Sequence, residues 1–218
     1  MIQKNKPTEN RSFHNSNCGA SCPEETTAPK GGKLSSLRPV NGQRLCEYTN
    51  VPFGWFHIGY NGCVVLAIYN ALLLTGYQKD LQEIRRCLHR IWKPRIFGVR
   101  QWEISRSLKT LEIPYASFSS VSELRSAMKP GDVAIVLSWN RTIPFCHFTM
   151  GEAPLSVLRF PDPFGGAHGM ALEYTQKGTW KVYNRYSNRD KTYEYQTFEE
   201  FLPYNALFVK GFLIPPSP

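Results

Sequence analysis

Hydrophobic and polar positions divide the chain near residue 45. Upstream, Asn, Ser, Pro, Gly and Lys follow one another without apolar periodicity, and the stretch CPEETTAPKGGKLSS reads as a solvated linker. Residues 1–44 are therefore expected to be a flexible polar tail, and residues 45–218 one folded domain. From Gly62 to Leu74 the residues are apolar nearly all round, the mark of a helix running through a core. Thr75-Gly76 ends it, since Gly suits the position just past a helix. Asp80 and Glu83 have capping-box spacing and open a second helix to about Ile91, with Leu81, Ile84, Leu88 and Ile91 as its stripe. A third helix is expected near Arg100 to Leu111, burying Trp102, Ile104, Leu108 and Leu111. Ser120 and Glu123 repeat the capping spacing and start a short fourth helix, which Pro130-Gly131 stops.

The pattern then changes period. DVAIVLSW is a short apolar run, as in a central strand. HGMALEY and WKVYNRY flank TQKG, which is hairpin spacing with a Gly in the turn. FEEFL suits one helical turn, and ALFVKGFLI a last strand. Helices first and strands second predict an α+β fold, N-terminal helices packed on a C-terminal antiparallel sheet.

Composition adds little to this. With 42% hydrophobic and 13% aromatic residues, the chain can bury a sizeable core. The longest apolar run, CVVLAIYNALLL, is too short to cross a bilayer, and no basic segment with an apolar run opens the chain. No membrane association and a cytoplasmic location are expected. In that setting Cys18, Cys22, Cys46, Cys63, Cys87 and Cys146 are expected to be mostly free thiols. His14, Cys18 and Cys22 have no second Cys/His pair at finger spacing, so no metal is expected. The net charge of +9 gathers partly in Arg85, Arg86, Arg90, Lys93, Arg95 and Arg100. No nucleic-acid-binding motif accompanies that patch, so a solvated helix face is favoured over a nucleic-acid surface.

Candidate chemistry centres on Cys63. Asn61-Gly62 is a turn signal, so the sulfur is expected on the first turn of the apolar helix. There the free N–H groups and the positive end of the dipole would lower its pKa, and could later hold an oxyanion. Of five histidines, His14 lies in the tail and His89 on the basic helix, while His57 suits a lining role. His168 opens a strand after the small-residue loop FGGA, and Asn184 lies on the partner strand across the hairpin. The Asn184 amide oxygen is expected to accept Nδ1–H and so to aim Nε2 at the sulfur. His147 has no such partner, and Asn188 and Asp190 are rival orienters in a polar loop.

The blocks NGCVVLAIYNALLLTG, IFGVRQWEISRSLKTLEIPY, AHGMALEYTQKGTWKVYNRYSN and FVKGFLI resemble the papain-like cysteine peptidase superfamily. The likeness is to small standalone proteins of gut Firmicutes, themselves similar to the double-glycine leader peptidase domains of bacteriocin exporters. It covers roughly residues 50–214. It implies a papain-like fold with Cys63 as nucleophile, His168 as base and Asn184 as orienting residue. Two positions depart from the pattern. No Gln lies between Gln43 and Cys63, which leaves the oxyanion role to Asn61 or to backbone, and Val64 stands where many relatives have a small or acidic residue.

The reading is a hydrolase of peptide or amide bonds, with leader-peptide processing as its most concrete form and no cofactor. Gly165, Gly166, Trp55 and His57 are the expected substrate-binding residues, the glycines suiting a small side chain next to the scissile bond. An acyl transferase on the same triad, and a papain-like binding module using its basic helix, are the alternatives. Oligomeric state is left open.

Overall fold

The computed structural model describes residues 38–44, 50–54, 56–89, 99–139, 142–150, 153–161, 166–202 and 207–218. One compact unit spans Leu37–Pro218. It therefore begins before the expected boundary at residue 45. Val40, Asn41 and Gln43 are buried in it, and their bonds are described with the site below. His14, Cys18, Cys22, Cys46, Trp55, Arg90, Lys93, Arg95 and Gly165 lie outside the described residues, as do the side chains of His89, Cys146 and His147.

The elements run β1 (Pro52–Phe53), β2 (Phe56–His57), α1 (Ile58–Asn61), α2 (Cys63–Leu74), α3 (Leu81–His89), α4 (Gln101–Thr110), β3 (Ala116–Phe118), α5 (Val121–Ala127) and β4 (Val133–Trp139). They continue with β5 (Thr142–Met150), β6 (Ala153–Pro161), β7 (Ala167–Tyr174), β8 (Trp180–Tyr183), β9 (Tyr193–Tyr195), α6 (Phe198–Phe201) and β10 (Leu207–Ile214). The central sheet is antiparallel throughout, in the order β3-β10-β4-β7-β8-β9. Two further antiparallel pairs form separate two-stranded sheets, the short β1-β2 and the longer β5-β6. This is an α+β arrangement of helices and a large antiparallel sheet.

Strand alternation explains why the sheet is covered twice. Along β4, Val133, Ile135 and Leu137 join the core under α2, α3 and α4, whereas Ala134 and Val136 join a second core with Leu124, Phe198 and Phe201 from α5 and α6. The expected single helical layer is thus joined by a smaller one on the far face. Helix α2 is the centre of the first core: Val65, Leu66, Ala67, Ile68, Ala71 and Leu72 are all fully buried. At about 1.5–3 kcal/mol for each large aliphatic side chain, that helix is the main apolar anchor of the fold. Thr75 and Gly76 end it, with Gly76 at φ 87°.

Helix α4 departs from the expected stripe. Ile104, Leu108 and Leu111 are buried, but Trp102 is 44% exposed. Its neighbour Glu103 is buried instead, because its carboxylate accepts the Arg100 N–H at 2.7 Å at the head of the helix. At α5, Ser120 does not cap the helix through its side chain, and its hydroxyl pairs with that of Ser122. Among the described residues no helix is long and apolar enough to cross a membrane.

Candidate active site

Cys63 is the first residue of α2, with Gly62 before it, as the turn signal predicted. A Cβ on Gly62 would lie 2.5 Å from the Ile58 carbonyl oxygen, so only glycine lets α1 fold this tightly into α2. The thiol is buried, and the main-chain N–H groups of Gly169, Val64 and Cys63 lie where they favour its thiolate form. The strand β7 comes this close because residue 169 has no side chain. A Cβ there would lie 2.9 Å from Val64 Cγ2 and 3.2 Å from the Val64 nitrogen.

The electrostatic balance differs from the expected one. Burial pushes the Cys63 thiol up from its ordinary value, and the three N–H groups only partly offset that. Removing a thiolate from water costs more here than a helix end and a strand amide return. Burial also holds the His168 imidazole below its ordinary range; the hydrogen bond to Asn184 opposes this and the nearby Arg185 charge adds to it. The resting pair is therefore thiol and neutral imidazole.

His168 adjoins Gly169 and is itself buried. Its Nε2–H donates to the main-chain oxygen of Asn184 at 2.6 Å. This corrects the expected orientation: the carbonyl, not the side-chain amide, holds the ring, and Nδ1 is left as the basic nitrogen. Alternation along β7 sets Gly169 with Ala171 toward α2, and His168 with Met170 toward the other face. The sulfur thus meets the main chain of Gly169. Among the described residues no hydrogen bond joins it to the His168 ring, although a direct contact was expected.

Asn184 is fully buried and has φ 58°, a left-handed conformation that Asn adopts more readily than most residues. It ends the ladder of β8, whose last pair is Ala171 with Tyr183. Two residues of the supposed tail hold it there. Its N–H donates to Asn41 Oδ1 at 2.8 Å, its Oδ1 accepts the Gln43 N–H at 3.2 Å, and its Nδ2 donates to Gln43 Oε1 at 3.3 Å. Gln43 Nε2 in turn donates to the Tyr60 carbonyl, which ties this strap to the turn before Cys63. Val40 exchanges two hydrogen bonds at 2.7 Å with the Asn70 side chain on α2. Neither Asn41 nor Gln43 carried a sequence signal, because their partners are distant in the chain and polar.

Asn188 and Asp190 are exposed, unlike Asn184. Asn61 is buried at the end of α1. His57 is half-buried with Nδ1 enclosed and unpartnered, and Gly166 is exposed with open space where a Cβ would be. Among the described residues no group of three His, Cys, Asp or Glu side chains could hold a metal ion. No protein-family model and no curated protein matches this chain.

Proposed function

We propose that the protein is a papain-like cysteine hydrolase acting on a peptide or amide bond. Cys63 is the nucleophile, His168 the base and Asn184 the residue that orients the base. The observation that carries this reading is the meeting of the Cys63 helix head with the main chain of Gly169, whose neighbour on β7 is a histidine with Nε2–H tied to Asn184. The sulfur attacks the carbonyl carbon while His168 Nδ1 takes the thiol proton. The C–N bond then breaks, the proton passes to the leaving amine, and a thioester remains on Cys63. Water, deprotonated by His168, attacks that thioester, and carboxylate and thiol are released. Asn61 and main-chain N–H groups are the donors assigned to the oxyanion. For the thiol proton to reach Nδ1, the His168 ring has to turn from the face it shares with Met170 toward Cys63. Gly165, Gly166, Trp55 and His57 are assigned to the substrate side, and leader-peptide processing remains the most concrete substrate.

The absence of a resting hydrogen bond between Cys63 and His168 favours a second reading, a papain-like binding module without turnover. Acylation by p-nitrophenyl acetate separates the two. A hydrolase gives a burst of p-nitrophenol and an acetyl thioester on Cys63, lost in Cys63→Ala and slowed at least about 100-fold in His168→Ala. Faster decay of that thioester with added amine than with water alone would mark an acyl transferase. No burst, or equal labelling of Cys87, would remove the enzyme reading.

A further inference from the structure

Beyond the Cys63 sulfur, the most unusual group in the unit is Arg185. It is 9% exposed, yet among the described residues it forms no ion pair with any carboxylate. Its Nε is enclosed and unpartnered, and one terminal nitrogen donates only to the Met170 thioether at 3.7 Å. A sulfur is a weak acceptor, and taking a guanidinium out of water without a counter-charge is strongly unfavourable. The Tyr186 ring gives partial relief, with the Arg185 guanidinium 5.2 Å from its centroid. The same ring takes Arg189 at 5.4 Å, so two cations share one aromatic ring. Lys191 follows over Tyr193, also at 5.4 Å. Against these three cations the segment 185–191 offers one carboxylate, Asp190, which is exposed.

This cationic cluster lies near His168, on the face of β7 away from α2. Met170, which Arg185 touches, is two residues along β7 from His168 and on the same face. Ser138 is the cross-strand neighbour of His168 on β4, fully buried with an unpartnered hydroxyl. Two enclosed donors, the Arg185 Nε–H and the Ser138 hydroxyl, therefore lie near the imidazole.

We propose that Arg185, with Ser138 beside it and Arg189 at the rim, forms a carboxylate-binding subsite next to His168. The substrate then carries a free carboxylate, either a chain terminus or an acidic side chain close to the scissile bond. This deepens the hydrolase reading and rests on it for the word substrate, but the binding itself does not require turnover. A carboxylate fits the guanidinium fork in a two-pronged geometry, and it would supply the counter-charge that the fold does not.

The test follows the His168 ring by NMR in the full chain at fixed pH, with N-acetylglycine and its neutral analogue N-acetylglycinamide as probes. Saturable movement of the His168 ring signals with N-acetylglycine and none with the amide is expected. Arg185→Gln is expected to weaken the response at least 10-fold, while Arg185→Lys, which keeps the charge, retains part of it. Equal responses to the two probes would overturn the proposal without recourse to any variant. An unaltered response in folded Arg185→Gln would also overturn it, as would saturable movement with inorganic phosphate but not with N-acetylglycine. Acylation of Cys63 by neutral p-nitrophenyl acetate, measured on the same samples, reports separately on the hydrolase reading. A carboxylate response without acylation sinks only the enzyme, and acylation without the response sinks only the subsite.

Discussion

Gly169 and Val64 approach so closely that a single methyl group on Gly169 would sit 3.1 Å from the Val64 Cα. That contact sets the Gly169 main chain against the head of α2, where its amide favours the Cys63 thiolate, and His168 is the adjoining residue of the strand. Gly169→Ala is expected to push β7 away from the helix, at a cost of about 1–3 kcal/mol for overpacking. Thermal unfolding would register the loss. Acylation of Cys63 should fall further than stability does, because the N–H donor withdraws with the strand.

The orienting group on His168 is a carbonyl, so substitutions at Asn184 should follow backbone conformation. Asn184→Gly keeps both the carbonyl and the left-handed φ, whereas Asn184→Ala keeps the carbonyl at a backbone cost of about 1–2 kcal/mol. Both lose the Gln43 bonds. Acylation rates should therefore rank wild type, then Gly, then Ala. An Ala variant faster than Gly would mean that the side chain and backbone of Asn184 play other parts.

Residues 37–44 belong to the folded unit, and truncation should reveal it. A chain starting at Leu37 is expected to unfold at the temperature of the full chain. One starting at Leu45 loses the bonds from Asn41 and Gln43 to Asn184 and those from Val40 to Asn70. At about 0.5–1.5 kcal/mol for each hydrogen bond, that chain should be several kcal/mol less stable. Circular dichroism melts of the two chains decide the point.

The pH dependence of stability follows from the two buried groups. The His168 pKa is lowered in the folded state, so its contribution is present above the ordinary value near 6.5 and is lost as pH falls through the folded value. The Cys63 pKa is raised, so its contribution is present below the ordinary value of 9.0 and is lost as pH rises through the folded value. Stability should thus decline on both sides of neutrality. Denaturant melts of His168→Gln should show a flatter acid limb than wild type, with the alkaline limb kept.

Iodoacetamide labelling tests the resting state of the thiol. The Cys63 rate should climb with a midpoint above the ordinary thiol value, since burial outweighs the N–H groups. A midpoint well below that value would show that a thiolate–imidazolium pair already exists at rest.

Much of this protein was legible in its sequence. The apolar run from Cys63 to Leu74, the strand from Val133 to Trp139 and the hairpin carrying His168 and Asn184 all formed where periodicity and turn residues placed them. Those signals are local: a helix or a hairpin is set by neighbours within a few residues. The place of Cys63 at the head of its helix was settled in the same way. Tertiary structure alone decided the rest. Asn41 and Gln43 read as linker because polar residues without periodicity give no signal until their partners arrive from far along the chain, here at Asn184. Trp102 stayed outside the buried stripe because no packing partner among the described residues covered it, which spacing along one helix does not reveal. The direction of the thiol's pKa and the choice of ring nitrogen on His168 depended on burial and on one carbonyl, neither of which has a sequence pattern.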